Sequence, residues 1–198
     1  MTPDIYNDKR FGINHNSISN NALNIISRLQ KSGFQAYIVG GGIRDMIKGL
    51  KPKDFDIVTN CEPDEIRKIF RNSRIIGRRF KLVHIAFADE IIEATTFRAG
   101  GTKTTESIEI NEKGRIVRDN NWGTQEEDVL RRDLTINSIY YDPFSNELID
   151  YTKGIKDLKD KKIKFIGNSG ERILEDPVRI LRALRFAAKL NFTIDQEI

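Results

Sequence analysis

Two aspartates separated by one residue stand in a short run, residues 53–59, that reads as a β-strand. Side chains alternate between the two faces of a strand, so we expect Asp54 and Asp56 on one face and Phe55 and Ile57 on the other. The apolar pair can anchor in a core while the two carboxylates project together. Paired carboxylates suit Mg²⁺, which prefers a few carboxylates plus substrate phosphates. The same text also fits a strand end with two solvated acids, and the spacing alone does not decide.

A glycine-rich turn lies shortly before the paired aspartates. The apolar run 36–39 reads as a strand that leads into three glycines, and residues 43–50 then read as a short helix that ends near Gly49. Glycine lets backbone N–H groups approach a ligand closely, and a helix N-terminus favours anions. The sequence of this glycine turn matches neither G-x-G-x-x-G nor the P-loop pattern, so alone it indicates only a tight turn. Beside the aspartates, it predicts a triphosphate site next to a metal site.

Four motifs occur along the chain in a fixed order. They are G-G-G-I-R-D at 40–45, K-D-F-D-I-V-T at 53–59, R-R-D-L-T-I-N-S-I at 131–139 and E-D-P-V-R-I-L-R-A-L-R-F at 175–186. Together they resemble the bacterial poly(A) polymerase and CCA-adding tRNA nucleotidyltransferase family, in the class II branch of the polymerase-beta-like nucleotidyltransferases. The resemblance covers about residues 22–195. Three further segments, at 70–72, 77–84 and 165–168, resemble the poly(A) polymerase branch.

The resemblance implies a fold class and a domain division. We expect a mixed α/β (α+β) head with flanking helices and a short sheet that is mostly antiparallel, followed by the start of a helical neck. The expected division is a flexible N-terminal arm over 1–18, a head over 19–168 and the first neck helix over 169–198. Members of the family continue into further helices that grip RNA, and we expect that region to be missing from this chain.

The resemblance also implies a reaction. It is the addition of AMP from ATP to an RNA 3′ end without a template, with release of pyrophosphate and with two Mg²⁺ ions held by Asp54 and Asp56. Glu93 lies inside an apolar run, where an acid needs a partner, and it is the candidate for a third carboxylate. Asp133 is a further candidate catalytic acid. Glu93 also fits a charge on an edge strand, and Asp133 also fits a structural ion pair.

The resemblance to the family also implies which residues bind the nucleotide and the RNA. The predicted nucleotide ligands are Gly41, Gly42, Arg44, Asp45, Arg132, Asn137, Asp176 and Arg179, and the predicted RNA contacts are Arg78, Arg79, Lys81, Arg182 and Arg185. Asp followed by Pro is a strong helix start signal, so Asp176 is expected to open the last helix. In the family, the positions of Asp176 and Arg179 read the Watson–Crick edge of the base. The same two residues also fit a helix cap and a solvated arginine.

Charge and composition limit the partners. The net charge is +4, and residues 153–189 hold eleven basic and five acidic residues, which suits a polyanion entering from that side but also fits solubilising lysines. No apolar run approaches the ~20 residues that span a membrane, and the N-terminus does not read as a signal peptide. Cys61 is the only cysteine, so we expect a reducing, cytoplasmic location and no disulfide.

Three alternative functions stay open at this point. The first is CCA addition to tRNA, because the two activities share these motifs. The second is an RNA-binding module with a degenerate site, which the complete D-x-D and R-R-D motifs disfavour. The third is a transferase acting on small molecules such as aminoglycosides, which the predicted base-reading helix disfavours. Residues 100–121, rich in Gly, Thr, Asn and charge, are expected to form a mobile loop near the substrate.

Overall fold

The computed structural model describes residues 1–77, 80–99 and 121–198, together with the backbone of two strands at 108–110 and 116–119. The strands are β1 (Asp4–Asn7), β2 (Ala36–Val39), β3 (Asp56–Thr59), β4 (Ser73–Ile76), β5 (Leu82–Ala86), β6 (Ile91–Thr96), β7 (Ile108–Ile110), β8 (Ile116–Asp119), β9 (Tyr140–Asp142), β10 (Glu147–Asp150), β11 (Lys162–Ile163) and β12 (Thr193–Ile194). The helices are α1 (Asn20–Lys31), α2 (Gly41–Ile47), α3 (Pro63–Ile69), α4 (Gln125–Arg131), α5 (Gly154–Lys159), α6 (Ser169–Glu175) and α7 (Val178–Leu190). Within the described ranges, no helix is long and apolar enough to cross a membrane.

Eight strands form one mixed sheet in the order β1-β10-β9-β2-β3-β6-β5-β4. Neighbours run antiparallel except β3 and β6, which run parallel. The predicted mixed α/β fold with a mostly antiparallel sheet is therefore confirmed. The sheet is larger than the short one expected, because it also includes β1 and β9, whose few residues give little local strand signal.

The alternation of side chains divides the sheet's contacts between two cores. Ile38 and Ile57 belong to a core with residues of α1, α2, α3 and α5. Their chain neighbours Val39 and Val58 belong to a second core with Val129 of α4. Helices therefore pack on both faces of the sheet, which is the layered arrangement expected when both faces of a sheet are apolar. The face that carries Val58 and α4 is also the face to which Asp56 belongs.

Helix α1 follows the sequence signals closely. The Ser19 hydroxyl accepts hydrogen bonds from the backbone N–H groups of Asn21 and Ala22, as an N-cap residue does. The helix buries the apolar face that the pattern predicted, including Ile26 and Leu29. It ends just before Gly33, whose φ of +86° is a conformation that favours glycine.

The N-terminal segment differs from the flexible arm that the sequence analysis expected. Residues Asp4–Asn7 form β1 and pair antiparallel with β10, so that Asp4 faces Asp150. Asp8 is buried, and its carboxylate accepts hydrogen bonds from Tyr141 Oη (2.7 Å) and from His15 Nε2 (2.6 Å). The pairing with β10 and the contact with Tyr141 join residues far apart in sequence, and local composition therefore does not reveal them.

The C-terminal segment also differs in detail. The predicted strand over 162–166 is shorter, and it pairs in parallel with β12 as a separate two-stranded sheet instead of completing the main one. This unit belongs to a further core in which Leu134 and Phe165 pack with Phe186 and Phe192. The last predicted helix, expected to start at Pro177 after an Asp176 cap and to run to Leu190, is present as Val178–Leu190, whereas α6 was not predicted.

Between 100 and 121 the expected mobile loop falls mostly on residues outside the described ranges. The described part is the backbone of β7 and β8, which pair antiparallel with a register shift near Glu109. A pair of antiparallel strands is therefore present inside the segment that the sequence analysis interpreted as a loop.

Candidate active site

A cleft of about 950 Å³ is lined by residues at the start of β3, in helix α2, at the end of α4 and in helix α7. It is lined by Gly40, Gly41, Arg44, Asp45, Leu50, Lys51, Lys53, Asp54, Asp56, Arg131, Arg132, Asp133, Asn137, Asp176, Arg179, Arg182, Arg185, Phe186 and Lys189. Nine of these residues are basic and five are acidic, so the cleft carries a positive charge overall. It brings together twelve of the predicted site residues: Gly41, Arg44, Asp45, Asp54, Asp56, Arg132, Asp133, Asn137, Asp176, Arg179, Arg182 and Arg185.

The paired aspartates lie at the start of β3. The strand begins at Asp56, later than predicted, so Asp54 lies in the loop before it. Phe55 is only 8% exposed and packs in the main core with Ile57, as the alternation predicted. The apolar residues thus anchor the segment, and both carboxylates are left facing the cleft.

Glycines are required where the turn before α2 meets these aspartates. Gly40 has φ +85°, and a Cβ there would lie 3.2 Å from Asp56 Oδ2. A Cβ on Gly42 would lie 3.0 Å from the backbone oxygen of Asp54, closer than nearly all real Cβ contacts. Gly42 is buried and supports this close packing, whereas Gly41 lines the cleft. The glycine run therefore holds the turn against the two carboxylates.

Glu93 joins the two aspartates from the neighbouring strand. It is the register partner of Asp56 in the parallel pair β3–β6, and its Oε1 lies 3.3 Å from His84 Nε2. Burial, together with the charges of Asp54 and Glu93, raises the pKa of Asp56 to about 6, although the nearby Arg132 acts in the opposite direction. Clustered oxygen ligands whose charge is not balanced suit a divalent cation.

This carboxylate cluster fits Mg²⁺ as a pair of ligands and not as a closed cage. Among the described residues, no group of three or more His, Cys, Asp or Glu side chains is arranged to hold a metal ion. Mg²⁺ usually keeps water ligands and takes one or two carboxylates together with substrate phosphates. Asp54 and Asp56 match that pattern, with Glu93 as a neighbour of the pair.

Arg44 is a buried link between three parts of the site. Its side chain is 2% exposed and donates from Nη1 to Asn137 Oδ1 at 2.6 Å. Its Nε and Nη2 donate to Asp45 Oδ1 at 2.9 and 2.8 Å, and its guanidinium lies 5.2 Å from the centre of the Phe186 ring. Arg44 therefore fixes the glycine turn relative to the R-R-D motif and α7. It also fixes the orientation of the Asn137 amide, whose oxygen accepts the hydrogen bond from Arg44.

The R-R-D motif lies at the end of α4. Arg132 donates from Nε and Nη2 to Asp128 Oδ2 at 3.0 and 2.9 Å, and from Nε to Tyr140 Oη at 3.2 Å. Its side chain stays 23% exposed and reaches the cleft. Asp133 accepts from the backbone N–H of Leu134 at 2.8 Å and forms an ion pair with Arg182. In this structure Asp133 therefore has the contacts of an ion-pair partner.

Asp176 and Arg179 lie at the start of α7. The Asp176 carboxylate accepts a hydrogen bond from the backbone N–H of Val178 at 3.2 Å. The backbone oxygen of Asp176 accepts one from the backbone N–H of Arg179 at 3.0 Å. This is the predicted helix start, one residue later than expected. Arg179 donates from Nη1 to Glu175 Oε2 at 2.7 Å and to the backbone oxygen of Arg172 at 3.1 Å. Asp176 and Arg179 both line the same cleft as the paired aspartates.

The predicted RNA-binding residues are separated in the fold. Arg182 and Arg185 line the cleft, and the Arg185 guanidinium lies 4.9 Å from the centre of the Phe186 ring. Lys81 lies just before β5, away from the residues that line the cleft. Arg78 and Arg79 lie outside the described residues.

Sequence reasoning left seven cleft-lining residues out of the predicted site: Gly40, Leu50, Lys51, Lys53, Arg131, Phe186 and Lys189. A signal existed for the two lysines, which flank the paired aspartates, and for Arg131, which stands in the R-R-D motif. Phe186 and Lys189 face the cleft only because α7 packs across it, which is a tertiary relationship.

Comparison with known proteins gives the same family from sequence and from structure. Residues 36–164 match the family described as the Poly A polymerase head domain. Poly(A) polymerase I of Escherichia coli O6:H1 is 49% identical over 192 residues, which is 96% of this chain and 41% of that protein. The CCA-adding enzyme of Staphylococcus aureus is 37% identical over 183 residues, 91% of this chain and 43% of that enzyme.

Solved structures agree. The Bacillus stearothermophilus CCA-adding enzyme in complex with CTP has a TM-score of 0.74 at 32% identity, with 89% of this chain and 40% of that chain covered. A tRNA nucleotidyltransferase complexed with a primer tRNA and an incoming ATP analog has a TM-score of 0.64 at 30% identity, with 87% and 47% covered. The chain thus spans less than half the length of these relatives. It belongs to the bacterial poly(A) polymerase and CCA-adding enzyme family and carries that family's head domain.

Proposed function

We propose that the chain is the catalytic part of a poly(A) polymerase, which adds AMP from ATP to an RNA 3′ end without a template and releases pyrophosphate. One observation carries this proposal. A single positively charged cleft is lined both by the paired carboxylates Asp54 and Asp56 and by the base-reading candidates Asp176 and Arg179. A nucleoside triphosphate needs both sets of groups, one for the reacting phosphate and one for the base. The 49% identity to poly(A) polymerase I supports the choice of ATP.

The chain's own residues would mainly position the substrates and stabilise charge. The guanidinium of Arg132, held in place by Asp128 and Tyr140, presents a cation to the triphosphate. The glycine turn brings backbone against the same carboxylates without a side chain in the way. When bound by Asp54 and Asp56, Mg²⁺ supplies charge neutralisation and activation of the attacking hydroxyl. No covalent enzyme intermediate is needed, because phosphoryl transfer is catalysed mostly by positioning and electrostatics.

The choice of base would fall to the start of α7. Asp176 offers acceptor oxygens and Arg179 offers donors one helical turn later, which together can match the edge of one base and reject another. Glu175 and the Arg172 carbonyl hold Arg179 in one orientation, and a fixed donor discriminates better than a mobile one.

The second candidate function is CCA addition to tRNA. The solved structures of CCA-adding enzymes share the fold, and the chain is 37% identical to the Staphylococcus aureus enzyme. Both observations support CCA addition as the second candidate. Polyadenylation is favoured because the identity to poly(A) polymerase I is higher than that to the CCA-adding enzyme, and because the sequence of residues 77–84 resembles the poly(A) polymerase branch. RNA is proposed as a partner because the cleft is positively charged, with Arg182 and Arg185 as the proposed contacts among the described residues.

Transfer itself is tested by incubating the chain with labelled ATP and a single-stranded RNA, with Mg²⁺ or with EDTA. We expect Mg²⁺-dependent lengthening of the RNA and release of pyrophosphate. RNA binding without metal-dependent transfer would indicate a binding module with a degenerate site. AMP transfer to small hydroxyl compounds without RNA binding would indicate the small-molecule class.

A cytoplasmic location is part of the proposal, and a single buried cysteine, which cannot form an internal disulfide, is typical of proteins in a reducing compartment. Burial and the nearby acids Glu65 and Glu62 raise the pKa of the Cys61 thiol to about 12. The thiol therefore stays protonated at neutral pH, which also removes it as a candidate nucleophile.

A further inference from the structure

Arg172, a residue of α6 that no motif singled out, lies behind the cleft wall and caps helix α4. Its Nη2 donates to the backbone oxygens of Arg131 at 2.9 Å and Arg132 at 2.6 Å. The last carbonyl groups of a helix have no partner within the helix, so a guanidinium at this place fixes where the helix ends. Because Arg131 and Arg132 both line the cleft, Arg172 fixes the backbone that carries Arg132, the proposed phosphate ligand.

The other side of the same guanidinium determines the position of Arg179. Arg172 Nη1 donates to Glu175 Oε2 at 2.8 Å, and Arg179 Nη1 donates to the same oxygen at 2.7 Å. Arg179 Nη1 also donates to the backbone oxygen of Arg172 itself at 3.1 Å. Arg179 is therefore held by Arg172 directly and through Glu175, while the Arg172 side chain stays only 14% exposed.

We propose that Arg172 is a positioning residue that couples the phosphate-binding end of α4 to the base-reading Arg179, and that the preference for ATP over CTP depends on it. This inference rests on the proposed function. A nucleotide held by its triphosphate presents its base edge at a fixed distance from Arg132. The hydrogen-bonding match with Arg179 therefore depends on how α6 is placed against α4, and a displacement of about 1 Å can cost about 10²-fold in rate.

The residue type supports this role. The planar guanidinium serves three acceptors at once, two backbone oxygens on one nitrogen and the Glu175 carboxylate on the other. A lysine ammonium at this position keeps the charge but lacks the planar fork that spans α4 and Glu175. Arg172→Lys therefore separates the geometry of the link from its charge.

Arg28 offers a matched control. Its Nη2 donates to the backbone oxygen of Ile69, the last residue of α3, so it also caps a helix end, but it lies away from the residues that line the cleft. We would measure kcat and KM for ATP and for CTP with one RNA primer in wild type, Arg172→Lys and Arg28→Lys. The expected result is an ATP-to-CTP ratio of kcat/KM that falls about tenfold or more in Arg172→Lys, mainly through the KM for ATP. Arg28→Lys should keep the wild-type ratio.

A purely structural cap predicts something else. It would lower the melting temperature in both variants and leave the ATP-to-CTP ratio of Arg172→Lys unchanged, and that result would overturn the proposal. If Arg172→Lys does not fold, Arg172→Gln, which can still donate to one acceptor, takes its place in the same comparison.

A second readout does not depend on transfer. In protein labelled with ¹⁵N-arginine, the side-chain Nε–Hε signals of Arg132 and Arg179 should both shift in Arg172→Lys and neither should shift in Arg28→Lys. Unchanged signals in the folded Arg172 variants would overturn the coupling. A wild-type protein that prefers neither ATP nor CTP would instead overturn the proposed function, while the arginine signals would still decide whether the coupling exists.

Discussion

Asp56 and Glu93 are register partners in the parallel strand pair β3–β6, so their carboxylates leave the same side of the sheet. The pairing is the structural reason why three acids, Asp54, Asp56 and Glu93, influence one another although Glu93 is far away in sequence. The pKa of Asp56 is raised chiefly by burial, and then by the charges of Asp54 and Glu93. A carboxylate in a cleft whose pKa is raised by burial and by neighbouring charges is typical of a functional site.

Replacing either paired aspartate should abolish transfer without unfolding the protein. We expect Asp54→Asn and Asp56→Asn each to lower kcat/KM by at least about 10²-fold, the scale of losing one preorganised electrostatic contact. Neither substitution should destabilise the protein, because burial and the neighbouring carboxylates make the negative charge of Asp56 unfavourable in the folded state. The assay is AMP incorporation with melting curves alongside. The control is Asp64→Asn on exposed α3, and wild-type incorporation by either folded aspartate variant would contradict the metal assignment.

Glu93 and Asp133 should be distinguishable by their dependence on Mg²⁺. Glu93→Gln removes a carboxylate beside Asp56, so we expect a higher Mg²⁺ concentration for half-maximal activity. Asp133→Asn breaks the ion pair with Arg182 on α7, so we expect a higher KM for ATP and an unchanged Mg²⁺ requirement. The measurement is a Mg²⁺ titration at saturating ATP for both variants. The opposite pattern would make Asp133 the third metal-site carboxylate.

The buried Asp8 should make stability depend on pH in the acid range. Burial alone would raise the pKa of Asp8, but hydrogen bonds from Tyr141 and His15 outweigh it, and the pKa is lowered. A lowered pKa contributes stability that is fully present above the unfolded-state value of about 3.9 and is lost as pH falls through the native value. Melting temperatures of wild type and Asp8→Asn should therefore converge below about pH 4. A difference that stays constant from pH 7 to pH 3 would exclude this linkage.

Cys61 should be unreactive in the folded protein. Its thiol is buried, and burial raises its pKa to about 12, so very little thiolate forms at pH 8. We expect iodoacetamide to label Cys61 only after unfolding by denaturant, as read by mass spectrometry. Complete labelling of the native protein within minutes would mean that the segment around Cys61 opens readily.

The sequence predicts those parts of the site that local patterns encode. Alternation around Phe55 predicts that Asp54 and Asp56 face the cleft while Phe55 is buried, Ser19 caps α1 as predicted, and the Asp176–Pro177 signal gives the start of α7 to within one residue. The packing of Gly40 against Asp56 also follows a local signal, the glycine run. These features depend on residues close together in the chain, where a spacing translates directly into geometry.

The features that the sequence does not predict depend on contacts between distant segments. β1 exists because it pairs with β10, and Asp8 is buried because Tyr141 and His15 surround it. The short β11 leaves the main sheet because its partner, β12, follows α7. Arg172 shows no signal in the sequence, since its role depends on where α6 meets α4.

The central claim is tested most directly by offering the chain one nucleotide at a time, with Mg²⁺ and with enzyme in excess over RNA. One RNA is a generic oligonucleotide, and the other is a tRNA that lacks its terminal CCA. The account predicts that ATP alone lengthens the generic RNA by repeated additions of A, while CTP adds little to either RNA. Addition of C, C and A to the tRNA, with the generic RNA left unextended, would contradict it and assign the chain to the CCA-adding branch.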